Sequence, residues 1–303
     1  MGKILPRRTV LAVPGSSDRF IAKSRTLDVD AVFLDLEDAV APGAKAEARG
    51  RIVAALRDPA GWQAPCVTVR VNDWTSPWTT GDLTEVVGEA GDAIDAVVLP
   101  KVTGPDHVRA ADLVVTQLER QAGWPVGRIG LEVQIEDARG LAAVGEIAAA
   151  SPRLVSLVFG PGDFMASLGM GTLSVGSQPE GYAADAFHYP LMAILVAARA
   201  HGLLAIDGPF VGIRDAAGFA ASARSAAALG YDGKWVVHPD QIEAGNAIFT
   251  PGEAQVQRAQ RIMAAYDKAS SEGLTGAIEV DGEMVDEAGV KLAASVLAKQ
   301  PRN

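Results

Sequence analysis

Eight short apolar runs recur along this chain, and nearly every one ends in a charged residue. They are Thr9–Pro14, Asp30–Glu37, Cys66–Asn72, Asp95–Lys101, Arg128–Glu136, Leu154–Asp163, Gly202–Pro209 and Lys234–Pro239. Runs rich in Val, Ile and Leu read as parallel strands covered on both faces. The intervals carry helical patterns over Ala46–Arg57, Gly81–Ala90, Pro105–Gln121, Ala138–Ala150, Tyr189–Ala200, Ala216–Leu229 and Asp240–Phe249. A first helix is expected over Asp18–Leu27, with Asp18 as N-cap and Phe20 turned inward. Strictly alternating strands and helices build a parallel α/β fold, and right-handed crossovers allow eight such units to close. The pattern therefore predicts a (β/α)8 TIM barrel, with an open doubly wound sheet as the rival. In a barrel the chemistry sits at the C-terminal ends of the strands. Here those ends carry Asp35, Glu37, Arg70, Lys101, Glu136, Asp163, Asp207 and His238.

A length of 303 residues suits one catalytic barrel, residues 1–250, plus a C-terminal extension, residues 251–303. The extension reads as a helix (Gly252–Ser270), a Gly-bearing turn, an extended piece (Ala277–Val280) and a second helix (Glu287–Lys299), with Asp281-Gly282 as a turn signal. The Gly- and Ser-rich stretch Met165–His188 is a lid or binding loop, or else a solvated excursion. A net charge of −10 without a basic cluster argues against a nucleic-acid partner. The single cysteine, Cys66, lies at a strand start and reads as a buried, inert thiol. No run reaches membrane-spanning length, and Thr9–Val13 is too short for a signal peptide. A cytoplasmic protein is the expectation.

Glu136 and Asp163 end neighbouring strands and could face one mouth. Hard cations such as Mg²⁺ accept one or two carboxylates plus water and substrate oxygens; a pair tied to Arg or backbone N–H groups is the other reading. The small-residue turn Gly160-Pro161-Gly162-Asp163 offers backbone N–H groups to a carboxylate. Arg70 has apolar neighbours, so it pairs with an acid, stabilises negative charge on a carbonyl oxygen, or does both. Asp35, Glu37 and Asp38 crowd three acids into four residues and need cations to answer them. Arg70 and Lys101 are placed to do so. Lys101 could alternatively form a Schiff base. Asp207 and His238 read as rim supports, and His107, His188 and His201 have weak claims. Arg19 and Lys23, one helical turn apart after a Gly/Ser turn, suit phosphate groups or a solvated face.

Taken in order, several strings resemble the citrate lyase β subunit-like group of CoA-ester lyases in the HpcH/HpaI aldolase superfamily, which includes malyl-CoA, β-methylmalyl-CoA and citramalyl-CoA lyases. They are Val13-Pro14-Gly15, the stretch from Phe33 to Pro42, Val69-Arg70-Val71-Asn72, Leu99-Pro100-Lys101, the stretch from Gln134 to Gly140, Phe159 to Gly169, Ala205 to Pro209, and Gly233 to Pro239. The resemblance spans almost the whole barrel. It implies an Mg²⁺-dependent barrel (Mn²⁺ being a possible substitute) acting on a CoA thioester; charge and run length, not the resemblance, argue against a nucleic-acid or membrane partner. By position, Glu136 and Asp163 match the metal ligands. Arg70 matches the arginine at the thioester carbonyl, and Arg19 and Lys23 match the region that meets CoA phosphates. Lys101, Gly162, Glu37 and Asp38 fall among the substrate-facing and acid–base candidates. The piece from Asp281 to Asp286 resembles the lid of malyl-CoA-type members, whose aspartate reaches an adjacent subunit, and Asp286 matches it. A homotrimer or homohexamer is implied.

The expected reaction is reversible cleavage of a malyl-CoA-like ester to acetyl-CoA or propionyl-CoA and a 2-oxoacid such as glyoxylate. Four alternatives stay open: citramalyl-CoA cleavage, a malyl-CoA thioesterase or malate-synthase-like activity, a CoA-independent class II 2-oxoacid aldolase, and a non-catalytic binding protein on the same barrel.

Overall fold

Eight parallel strands close into one barrel in sequential order: β1 (Thr9–Pro14), β2 (Ala31–Asp35), β3 (Cys66–Arg70), β4 (Ala96–Leu99), β5 (Gly130–Ile135), β6 (Leu154–Phe159), β7 (Leu204–Asp207) and β8 (Gly233–Val236). The computed structural model describes residues 5–273 and 276–300. β8 pairs back onto β1 through Thr9–Lys234 and Val10–Trp235, which excludes the open sheet. Most strands are shorter than the apolar runs: Glu37, Lys101, Glu136 and Asp163 lie beyond the ladder, whereas Asp35, Arg70 and Asp207 are the last residues of their strands.

Alternation along each strand sorts the interior into layers. In β5, Leu131, Val133 and Ile135 pack outward in a fully buried layer, so Glu132, Gln134 and Glu136 face the barrel axis. At the N-terminal end Glu132 pairs with Arg7 at 2.8 Å, both buried. The middle layer is apolar: Val10, Phe33, Cys66, Val98, Val158, Ile206 and Trp235 form one cluster. Burial pushes the Cys66 thiol well above its ordinary range, consistent with an inert role. The polar layer at the C-terminal end is the candidate site.

The surrounding helices are α1 (Asp18–Ser24), α2 (Lys45–Arg57), α3 (Thr79–Gly81), α4 (Gly88–Ala90), α5 (Pro105–Ala122), α6 (Ala138–Ala142), α7 (Val144–Ala148), α8 (Pro161–Leu168), α9 (His188–Ala200), α10 (Ala216–Leu229) and α11 (Ile242–Phe249). Several sequence expectations need correction. The single helix expected over Ala138–Ala150 is two, α6 and α7, which meet at Ala143. Ser17, not Asp18, caps α1, its side chain accepting the Phe20 N–H; Ile21 and Ser24 form the buried face, and Phe20 is 44% exposed. The single helix expected over Gly81–Ala90 is instead α3 and α4 flanking a π-helical turn, Asp82–Val87. Asp163 does not end a strand. β6 stops at Phe159, and Pro161, which lacks an N–H for the ladder and suits the first helical position, opens α8 with Asp163 in its first turn.

The chain divides into two compact units, up to Asn246 and from Ala247 onward. In the second, α12 (Glu253–Ser271) and α13 (Glu287–Ala298) pack on a hairpin of β9 (Ile278–Val280) and β10 (Glu283–Val285). Asp281 (φ 53°) and Gly282 (φ 81°) make its two-residue turn, as left-handed hairpin turns require. Ile262, Val280, Val285 and Ala293 form its core. The turn expected after α12 includes Leu274 and Thr275, which lie outside the described residues.

Candidate active site

Asp35 and Arg70 are register partners at the ends of β2 and β3. The Arg70 guanidinium forks onto Asp35, Nε to Oδ1 at 2.7 Å and Nη2 to Oδ2 at 2.6 Å. Its Nη1 donates to Gln134 Oε1 at 3.3 Å and lies 3.1 Å from Glu37 Oε2. The rings of Phe33 and Trp235 lie 5.5 and 5.6 Å from the guanidinium carbon. Burial disfavours the charge on Arg70, but Asp35 and Glu37 outweigh it and hold the group firmly protonated. Asp35 is itself anchored by the backbone N–H groups of Glu37 (2.9 Å) and Ala39 (3.2 Å). The ion pair and a charge-stabilising role are therefore compatible, because the carboxylate fixes the aim of the guanidinium.

Lys101 answers the remaining acids. Its ammonium bonds Glu37 and lies 3.3 Å from Asp38 and 3.6 Å from Asp163. Burial raises the Glu37 pKa against the pull of Arg70 and Lys101. The same acids raise that of Lys101 despite its partial burial. These ion pairs favour the ammonium form of Lys101 and so disfavour a Schiff-base role, which needs the neutral amine. Its backbone has φ 50°, in the left-handed region, and this turns its N–H onto Glu136 Oε1 at 2.5 Å.

Glu136 is 4% exposed. Its second oxygen accepts from Gln134 Nε2 at 2.9 Å. Burial pushes its pKa up to about 8; Asp163 and Glu37 add to the rise, and Arg70 opposes it. Gly160 makes room for this carboxylate: a Cβ there would lie 2.4 Å from Glu136 Cβ and 2.5 Å from Oε2. Asp163 reaches the cluster from α8 through Lys101. The N–H groups of Gly162 and Asp163 belong to the first turn of α8 and have no acceptor within the helix.

Behind the mouth lies a support that the apolar pattern gave no reason to seek. Lys45 Nζ donates to Leu36 O (2.7 Å), Glu37 O (2.8 Å) and Asn72 Oδ1 (2.6 Å). Asn72 in turn donates to Asp82, which Arg49 holds at 2.8 Å. This network fixes the Leu36–Glu37 backbone, and with it the direction of the Glu37 side chain.

Other expected residues are placed elsewhere. Asp207 points to the outer face of the barrel and pairs with the buried Lys234, so it braces the β7–β8 seam rather than the mouth. A cavity of about 330 Å³ lies there, lined by Phe159, Leu191, Asp207, Ser222, Ser225 and Lys234 among others, and shares no residue with the acid cluster. His238 caps the turn Pro239–Gln241, accepting the Asp240 N–H at 3.3 Å. Arg19 and Lys23 are exposed on α1. Asp286 caps α13, accepting from Ala288 and Gly289 at 2.9 and 3.2 Å, and is exposed in the second unit.

The mouth suits a hard divalent cation. Its donors are carboxylate oxygens, and Glu136, whose pKa burial raises with a smaller contribution from Asp163 and Glu37, is a carboxylate whose ionisation a cation would favour. Among the described residues no group of three His, Cys, Asp or Glu forms a metal cage. Water and substrate oxygens would therefore have to complete the shell, the habit of Mg²⁺.

A polar mouth of this composition on a closed parallel barrel defines a class of α/β-barrel proteins with a carboxylate-rich C-terminal face. The chain belongs to the HpcH/HpaI aldolase/citrate lyase family, whose model matches residues 8–239. It is 40% identical over 304 aligned residues to an L-malyl-CoA/beta-methylmalyl-CoA lyase of Cereibacter sphaeroides, covering 97% of this chain and 94% of the relative. A (3S)-malyl-CoA thioesterase of the same species is 37% identical over 294 residues, with the same coverage. Among solved structures, the CitE protein of Mycobacterium tuberculosis in complex with magnesium, acetoacetate and coenzyme A aligns with a TM-score of 0.75. It is 30% identical and covers 98% of each chain.

Proposed function

We propose that this protein is a Mg²⁺-dependent carbon–carbon lyase acting on a malyl-CoA-like thioester, releasing acetyl-CoA or propionyl-CoA and a 2-oxoacid such as glyoxylate, and able to run in reverse. One observation carries the proposal. A guanidinium locked by a buried carboxylate stands beside a second buried carboxylate, in a chain 40% identical to malyl-CoA lyases. Glu136 and Asp163 would hold the ion, with Mn²⁺ a possible substitute. When bound, the ion supplies Lewis-acid polarisation of the oxygen next to the substrate carboxylate.

The residues of the chain do the rest. The N–H groups of Gly162 and Asp163 receive the substrate carboxylate. Arg70 donates to the thioester oxygen, where negative charge gathers as the carbon–carbon bond breaks. Asp35 and Glu37 keep its direction fixed, so no reorganisation is needed as that charge grows. Lys101 offsets part of the charge of Glu37, Asp38 and Asp163, and a bound divalent cation would offset more, which lowers the repulsion of an anionic substrate. Cleavage moves the hydroxyl proton to a base of the mouth, for which Glu37 and Asp38 are the candidates, and delivers one proton to the enolate carbon. Asp286, brought by a neighbouring subunit, is the candidate for the second transfer. On this reading residues 251–303 act as a lid between subunits of a homotrimer or homohexamer, and Arg19 and Lys23 meet the CoA phosphates. No helix among the described residues is long and apolar enough to cross a membrane; a cytoplasmic location accords with the proposal.

The identity to a malyl-CoA thioesterase favours one second reading, hydrolysis of the same ester. The deciding experiment incubates the protein with malyl-, β-methylmalyl-, citramalyl- and citryl-CoA plus Mg²⁺ and identifies products by mass. Acetyl-CoA or propionyl-CoA with a 2-oxoacid supports the lyase. Free CoA with malate supports the hydrolase. No turnover of any of the four overturns both.

A further inference from the structure

Gln134 lies one alternation step below Glu136 on β5, facing the barrel axis and 2% exposed. Its amide touches two groups of opposite character: Oε1 accepts from Arg70 Nη1 at 3.3 Å, and Nε2 donates to Glu136 Oε2 at 2.9 Å. Only one orientation satisfies both. Arginine has donors and no acceptor, whereas an ionised carboxylate has acceptors and no donor. A glutamine amide is the neutral side chain that presents one of each at this reach. Glu136 is then held at both oxygens, since Oε1 already accepts the Lys101 N–H.

We propose that Gln134 is a positioning residue that joins the charge-stabilising arginine to the cation-holding carboxylate, setting the aim of both through one amide. The inference rests on the proposed function above and deepens it. The hydrogen bonds of the Gln134 amide run to Arg70 and Glu136, so it acts through those two residues. It denies Glu136 the rotations in which Oε2 would turn away, and it gives Arg70 Nη1 a neutral acceptor, leaving Asp35 to take the fork. The carboxylate therefore enters cation binding already ordered, and the guanidinium cannot swing onto Glu136 and compete with the cation for it. Outer contacts of this kind change metal affinity or activity by roughly 10–100-fold.

The test measures Mn²⁺ binding to the full-length protein by electron paramagnetic resonance, together with kcat and KM for malyl-CoA. The variants are Gln134→Leu, Gln134→Glu and Glu136→Gln. Gln134→Leu removes both contacts at similar volume. Gln134→Glu keeps an acceptor for Arg70 but sets a carboxylate against Glu136, and its polar side chain guards against a fold lost merely through the apolar change. Expected is a loss of Mn²⁺ affinity of roughly tenfold or more in both Gln134 variants, with a lower kcat at saturating Mn²⁺ and an unchanged KM for the CoA ester. A purely structural role would lower the amount of folded protein without splitting kcat from KM. Mn²⁺ affinity and kcat within twofold of wild type in both Gln134 variants, while Glu136→Gln loses the ion, overturns the proposal and leaves the metal assignment standing. Undiminished Mn²⁺ binding by Glu136→Gln overturns the metal assignment, and this proposal with it.

Discussion

Replacing Arg70 by lysine tests the proposed chemistry at its centre, because it keeps the charge and removes the geometry. The guanidinium spends three nitrogens on three partners: Asp35 at 2.7 and 2.6 Å, Gln134 at 3.3 Å and Glu37 at 3.1 Å. A lysine ammonium is one nitrogen on a flexible stem. It can satisfy one oxygen of Asp35 or turn to Glu37, but it cannot span the fork and reach Gln134 as well. Stability should fall, but by less than the about 3–5 kcal/mol that removing a buried charged partner outright costs, since a cation remains among the acids. Turnover should fall much further. Loss of one preorganised donor at a developing oxyanion costs roughly 10²–10³ in kcat, or about 2.7–4 kcal/mol. The assay follows acetyl-CoA release from malyl-CoA by chromatography at saturating Mg²⁺, with a urea midpoint recorded on the same preparation. A stable Arg70→Lys protein whose kcat lies within threefold of wild type would refute the claim that Arg70 stabilises charge in the transition state.

Gly160→Ala should weaken Mn²⁺ binding by roughly tenfold or more, because the new methyl would stand 2.5 Å from Glu136 Oε2 and displace it; titration with Mn²⁺ checks this, and unaltered affinity contradicts it. Lys101→Gly and Lys101→Ala both lose the ammonium, but only alanine carries the steric cost of φ 50°. The glycine variant should therefore be about 1 kcal/mol the more stable by urea unfolding, and equal midpoints would show that the left-handed turn relaxes. Glu119 is buried beside Arg153 and accepts the Gly127 and Ile129 N–H groups, each at 2.8 Å. Burial alone would raise its pKa, but these donors outweigh it and hold it below the usual range. A depressed carboxylate stabilises the fold above its unfolded pKa of about 4.3, and that stability is lost as pH falls through the lower folded value. Glu119→Gln should therefore lower the urea midpoint at pH 7 and flatten its decline between about pH 5 and 3; an unchanged acid slope argues against this linkage.

Some of this site could be read directly from the chain. In β5 the letters Glu132, Gln134 and Glu136 alternate with Leu131, Val133 and Ile135, and alternation assigns the polar set to one face. The charged ends of β2, β3 and β4 likewise announced Asp35, Arg70 and Lys101, since a charge closing a buried run must leave at a rim. The π-helical turn over Asp82–Val87 had no such mark, nor did the helix that carries Asp163. There Pro161 ended the strand two residues before the acid, and the run of apolar letters concealed the stop. Phe20 misled for a related reason. Taking Asp18 as the cap instead of Ser17 rotated the expected inner face of α1 off Ile21 and Ser24.

What the sequence determined by itself was the barrel and its polar end, because continuous apolar runs mark strands buried on both faces and the charges that close those runs mark the rim. What only the tertiary structure decided was who answers whom. Lys45 reaches Asn72 across 27 residues, Arg70 reaches Gln134 across 64, and Lys101 turns its backbone onto Glu136. Such pairings depend on how neighbouring strands are staggered when the ring closes, and no single segment carries that stagger.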